Sequence, residues 1–192
     1  MSEFPIMRRV WAMPNANTFD IEPIRQFVMH YRRDSKVSVD PFARNCGFAT
    51  YTNDLNPATE AKCHMDSADF LKCFTGASLH LVVPDLVIFD PPYSLRQVKE
   101  VYDSIGKKLS LEDTNNVGSW GKEKDLIAEF LTIGGVVLSF GWNTIGMGKE
   151  RGFRLERILL VCHGGAHNDT ICIAERKIRD IHSPGLFEDD KQ

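Results

Sequence analysis

Residues 85–93 read Asp85-Leu86-Val87-Ile88-Phe89-Asp90-Pro91-Pro92-Tyr93, an apolar run held between two acids and closed by two prolines and a tyrosine. Four unbroken apolar positions predict a strand buried on both faces, as in a parallel sheet. The prolines have fixed φ and no N–H, so neither a ladder nor a helix passes through them. The strand must end at Phe89, and Asp90 opens a rigid loop.

Outward from this strand the same grammar repeats. Phe19–Arg32 predicts a helix, with Asp20 as N-cap and Pro23 in the first turn. Lys36–Asp40 and Phe48–Asn53 predict strands, and Ser67–Thr75 a short helix. Leu95–Ile105 and Lys122–Thr132 follow as helices, then Gly135–Phe140, Arg157–Cys162 and Thr170–Arg176 as strands. The last two flank Gly164–Asp169, whose turn residues predict a hairpin. Strands alternating with helices and closing on a hairpin make an α/β sheet. Such sheets bind ligands beyond the carboxyl ends of their strands. Three strands deliver an acid to that edge: Asp40, Asp54 and Asp90.

The whole chain narrows the classes further. Its 192 residues suit one domain, with 43% hydrophobic and 26% charged residues. Runs such as Leu79–Val83 and Val136–Phe140 are far too short to span a bilayer, and the N-terminus has no apolar core of signal-peptide length. An intracellular protein is expected. Five cysteines without a CxxC pair read as free thiols. A net charge of −3 argues against coating nucleic acid by bulk charge. Local patches remain (Arg96/Lys99/Lys107/Lys108 and Lys149/Arg151/Arg154/Arg157), each of which alone reads more simply as a solvated face. Cys162, His163 and His167 lack the second ligand pair of a structural zinc site, so no metal is expected. Gly146-Met147-Gly148-Lys149 fails the spacing of a phosphate loop.

The loop Asp90-Pro91-Pro92-Tyr93 combines a carboxylate, rigid carbonyl acceptors and an aromatic face. That set suits a planar base bearing an amino group: acceptors hold its hydrogens while the ring stacks on Tyr93. Here the chain resembles the amino-methyltransferases that modify adenine N6 or cytosine N4 in DNA, and among them the small phage-type adenine-specific enzymes. Other motifs of that family follow in order. Asp40-Pro41-Phe42 resembles the cofactor motif ending the first strand, extended here by Ala43 and Asn45. Asp54-Leu55 resembles the acid that holds the cofactor ribose, and Asp66 the acid that meets its adenine, with Asp69 as competitor. Asn17-Thr18-Phe19 resembles the segment enclosing the methionine end. The likeness spans about residues 11–177.

The resemblance implies a Rossmann-like class I S-adenosylmethionine-dependent methyltransferase sheet in a single domain, 1–192. Residues 11–35 would cover the cofactor, 36–177 form the catalytic sheet and 178–192 a tail. It implies methyl transfer from S-adenosylmethionine to adenine N6 in DNA, catalysed by Asp90, Pro91, Pro92 and Tyr93, in a prokaryotic or phage-encoded protein. RNA adenine, DNA cytosine-N4 and a non-catalytic subunit of a methyltransferase complex stand as alternatives. Two departures matter. Only 13 residues separate Asp40 from Asp54, too few for the usual crossover helix, so that helix should be missing or reduced. No block is left for target recognition, so readout falls to loops, a second copy or a recognition subunit; Leu109–Trp120 and Asn143–Gly148 are the candidate lips.

Overall fold

A computed structural model describes residues 4–76, 82–106, 119–165 and 167–180. The expected apolar strand lies inside the sheet, between two parallel neighbours. Named in chain order, the strands are β1 (Ile6–Trp11), β2 (Ser38–Asp40), β3 (Tyr51–Thr52), β4 (Leu86–Phe89), β5 (Val136–Gly141), β6 (Phe153–Cys162) and β7 (Thr170–Lys177). The helices are α1 (Glu22–Arg32), α2 (Ser67–Lys72), α3 (Leu95–Ser104) and α4 (Gly121–Phe130). The sheet order is β1-β6-β7-β5-β4-β2-β3. All pairings are parallel except those of β7, which runs antiparallel to both β5 and β6. The β6–β7 pair is the expected hairpin.

From β2 the chain steps outward to β3, then crosses to the opposite flank of β2 as β4. That reversal opens a crevice at the carboxyl end of β2, where Asp40 sits. β4 packs as its sequence demands. Leu86 and Ile88 meet Ile24 and Val28 of α1 on one face; Val87 and Phe89 meet Leu71 of α2 and Ile127 of α4 on the other. The two cores are layers on either side of one sheet.

Two local outcomes differ from the sequence reading, and a third follows it. The N-terminal segment forms β1, an edge strand parallel to β6, whose Ile6, Met7 and Trp11 are exposed. With one side unpaired and two arginines inside it, the strand carries no burial alternation to announce it. The cap of α1 is Ile21, not Asp20, because Thr18–Asp20 make a separate 3-10 turn in which Asp20 accepts from Asn17 Nδ2 at 2.9 Å. The helix between β2 and β3 is absent, as the short spacing requires: Pro41–Thr50 contain only turns.

β2 is short and needs an anchor. Asp85 supplies it, accepting from Ser35 Oγ at 2.5 Å, Lys36 N at 2.9 Å and Val37 N at 3.2 Å. Replacing Asp85 by Ala leaves these donors unmatched, and stability should fall by about 1–3 kcal/mol. Urea unfolding would read this as a lower midpoint at unchanged slope.

Candidate active site

The acidic edge is built from polar contacts rather than a helix. Asp40 is fully buried; its Oδ1 accepts from Phe42 N at 3.0 Å, and its Oδ2 has no hydrogen-bond partner among the described residues. Burial pushes this carboxyl well above the usual range, the Phe42 N–H opposes that, and the charges of Asp90 and Asp54 add to it. Asp54 takes Arg44 N at 3.1 Å on one oxygen and Asn56 N at 2.8 Å on the other, so it shapes the loops on both sides of it. Arg44 adopts φ +49°, left-handed backbone that a non-glycine residue holds only when its neighbours dictate it. Asp66 caps α2, its Oδ1 accepting from Ala68 N at 2.9 Å and Asp69 N at 3.3 Å.

Beside this edge stands the proline loop. The Tyr93 hydroxyl donates to Asp90 Oδ1, and Trp120 Nε1 donates to the Pro92 carbonyl at 3.3 Å. Burial lifts the Asp90 carboxyl to about 6, against hydrogen bonds from Tyr93 and Thr18 and the nearby Arg44 charge. Trp120, also at φ +49°, sets its ring 5.1 Å from that of Phe42. The Tyr93 ring lies 5.5 Å from Trp142, tilted by 58°.

These elements enclose a cavity of about 720 Å³. Of the residues singled out in the sequence, Thr18, Pro41, Phe42, Asp54, Leu55, Asp66 and Asp90 to Tyr93 line it. Asn17, Phe19, Asp40, Ala43 and Asn45 are not in its wall. Asn17 braces Asp20, Phe19 packs edge-on to Phe140, Ala43 N donates to Asn53 O, and Asn45 Oδ1 receives Glu60 N. Asp40 lies beneath, bracing Phe42. Asp69 also stands outside the wall and pairs with Lys72 at 2.7 Å. A second, small cavity of about 80 Å³ shares Pro91, Pro92, Tyr93 and Trp120 with the first, and is completed by Trp142, Asn143 and Gly146.

Sequence reasoning missed Arg44, Asn53, Trp120 as a wall residue, and Trp142. Trp142 alone carried a signal: it follows a buried strand at the carboxyl edge, where Asp90 also stands. The candidate lip Leu109–Trp120 lies outside the described residues except for Ser119 and Trp120. Of the basic patches, Arg96 pairs with Glu100, Arg151 with Asp125 and Arg154 with Glu156, while Lys107 and Lys108 are outside the described residues. His163 engages Ala12 O and Thr170 Oγ1, each at 2.9 Å, which ties the hairpin to the segment after β1.

No protein-family model matches the chain, and no curated protein sequence does. Solved structures do. The Escherichia coli protein yhhF, which carries a methyltransferase assignment, superposes with a TM-score of 0.51 at 10% identity, over 87% of this chain and 92% of that one. The N-methyltransferase NodS from Bradyrhizobium japonicum WM9 superposes with a TM-score of 0.51 at 9% identity, over 86% of this chain and all of NodS. At such identities the likeness speaks for architecture. The chain has the Rossmann-like fold of the class I S-adenosylmethionine-dependent methyltransferases. Among the described residues no helix is long and apolar enough to cross a membrane.

The Asp90 carboxyl should titrate near 6 by carbon NMR. Tyr93→Phe removes a hydrogen bond that favours the ionised form, so its midpoint should move upward. An unchanged or lower midpoint would contradict the pairing.

Proposed function

We propose that this protein transfers a methyl group from S-adenosylmethionine to the N6 amino group of adenine in DNA. The observation that carries the reading is the placement of the loop Asp90–Tyr93 between two cavities: Asp90 lines the first, and Pro91, Pro92 and Tyr93 form a wall common to both. One is large and acid-rimmed, the other small and flanked by Tyr93 and Trp142.

The large cavity fits the cofactor in size and charge. Its volume is within the ordinary range for such ligands, and Asp54, Asp66 and Asp90 face a molecule that carries a sulfonium and an ammonium. Asp54 would hold the ribose hydroxyls and Asp66 the adenine amino group, while Pro41 and Phe42 form the floor. Bound there, S-adenosylmethionine supplies an electrophilic methyl group.

The chain's own part is to hold the amine. Asp90, ionised above about 6, accepts an N–H of the target amine and stabilises the positive charge that grows on nitrogen as the new bond forms. Its raised affinity for protons also suits it to receive the proton that the methylated nitrogen gives up. The Tyr93 hydroxyl now occupies that acceptor, so the incoming amine must displace it. The small cavity is too narrow for a purine as it stands, and a base enters only as Tyr93 and Trp142 part. Alignment of amine and methyl supplies much of the acceleration, on the order of 7–11 kcal/mol for well-oriented reactants. Sequence readout would come from the loop after β5, from a second copy or from a recognition subunit.

The test is methyl transfer from labelled cofactor to duplex DNA, single-stranded DNA and RNA, with identification of the nucleoside. N6-methyladenine in DNA is expected. The same product in RNA alone, or N4-methylcytosine, would move the reading to those substrates. No product with cofactor still bound would make the chain a non-catalytic subunit.

Asp90→Ala should lower turnover by orders of magnitude while calorimetry still detects cofactor binding; equal activity from that variant removes Asp90 from catalysis. The pH profile follows from the same group. Below about 6 the carboxyl is protonated and loses its acceptor role, so kcat/KM should fall tenfold per pH unit there and level off above. An acid limb near 4 would assign the step to an unperturbed carboxylate.

A further inference from the structure

Glu175 stands two residues before the end of β7, opposite Val137 of β5 and Leu155 of β6, and is only 4% exposed. A carboxylate buried in a sheet is costly unless its oxygens are matched. Both are. Met147 N donates to Oε2 at 2.6 Å and Gly148 N to Oε1 at 3.0 Å. Burial pushes the Glu175 carboxyl up, while the two amides and the charges of Lys124 and Arg151 hold it toward ionisation.

The loop backbone rests directly on this side chain. Gly146, at φ +46°, lies so close that a Cβ there would overlap Glu175 Oε2 and Ile173 Cδ1. Glycine is therefore required at 146 by both space and conformation. Residues 142–148 carry Trp142 to the Tyr93 ring and give Asn143 and Gly146 to the small cavity. Among the described residues the loop also has an internal bond, Ile145 N to Asn143 Oδ1 at 3.0 Å, takes Arg151 Nη1 on Met147 O at 3.2 Å, and takes Arg151 N and Phe153 N on Gly148 O at 3.2 and 3.3 Å. Phe153 N opens β6 and touches the loop only at its last residue; of these partners Glu175 alone reaches the loop with a side chain from within the sheet.

We propose that Glu175 is a positioning residue: it clamps the loop after β5 onto the sheet at the height that sets Trp142 against Tyr93, and so fixes the gap that receives a planar base. The proposal rests on the functional reading above for the nature of the occupant, but the clamp itself does not. Glu175 touches neither substrate nor cofactor and acts through the loop.

The decisive variant is Glu175→Gln. It keeps the shape, but a side-chain amide has one acceptor oxygen and turns an N–H toward the second backbone donor. With 5-fluorotryptophan at all three tryptophans, and the Trp142 signal assigned through Trp142→Phe, fluorine NMR should show the Trp142 line shifted or broadened while the Trp11 line stays. For a single-stranded adenine-containing oligodeoxynucleotide, kcat/KM should fall on the order of 10- to 100-fold, mostly in KM, with the cofactor Kd unchanged. Gly146→Ala lifts the loop from the other side of the same contact, and should give the same pattern if the glutamine variant does not fold. The double variant should be no worse than the more impaired single one. An unmoved Trp142 line in either variant overturns the proposal, and so does a parallel loss of cofactor affinity. If the parent protein methylates no polynucleotide, the functional reading fails, and the fluorine spectrum alone still decides the clamp.

Discussion

The acidic edge of this protein hangs on Asn53. Its backbone joins the end of β2 to the loop beyond: its N–H donates to Asp40 O at 2.9 Å and its carbonyl accepts from Ala43 N at 2.8 Å. Its side chain, wholly buried, donates to Pro41 O at 3.2 Å and Met65 O at 3.0 Å and accepts from Met65 N at 3.1 Å. One amide thus binds β2, β3 and the approach to α2 together, and the task needs a side chain that is donor and acceptor at once. Aspartate would meet two carbonyls with a charge, and leucine would leave three polar groups unmatched in a dry site. Asp40, Asp54 and Asp66 hold their relative places because this residue holds theirs.

Much of this was legible in the chain, for a physical reason. β4 reads correctly because burial on both faces leaves no choice but apolar residues, and its end reads correctly because two prolines stop a strand without help from anything else. The lost crossover helix followed from chain length alone. What stayed hidden was set by tertiary contact. β1 has one exposed edge and two arginines, so its pairing with β6 leaves no periodic trace. Asp20 looks like a cap, but a 3-10 turn intervenes and Ile21 takes the position. Arg44 and Trp120 adopt left-handed backbone that their residue types disfavour, and only the assembled cavity wall accounts for it. Trp142 and Glu175 are ordinary strand-end and strand residues until the loop between β5 and the hairpin is folded over them.

The electrostatics of the site follow one rule. Carboxylates gather where sheet, loops and aromatic rings exclude water, and each has a matched donor that keeps the cost bounded. Asp54 spends both oxygens on backbone N–H groups, Glu175 does the same, and Asp90 has Tyr93 and Thr18. Asp40 is the exception, with one oxygen unmatched among the described residues. Part of the positive charge is spent in surface ion pairs, as at Arg25, Arg96 and Arg151. The wall of the large cavity carries Asp54, Asp66 and Asp90 together.

The turn-only link from Pro41 to Thr50 has a thermodynamic consequence. A helix there would carry its own cooperative ladder; this link has one internal backbone bond, Cys46 N to Ala43 O at 2.8 Å, and otherwise leans on side chains and on Asn53. The edge can therefore open as a unit at a cost well below that of unfolding the sheet. Any ligand that binds only the closed edge raises that cost by mass action, about 2.7 kcal/mol at a hundredfold excess over its Kd. Slowed amide exchange at Ala43, Cys46 and Asn53, with β5 unaffected, would then act as a gauge of occupancy built into the backbone.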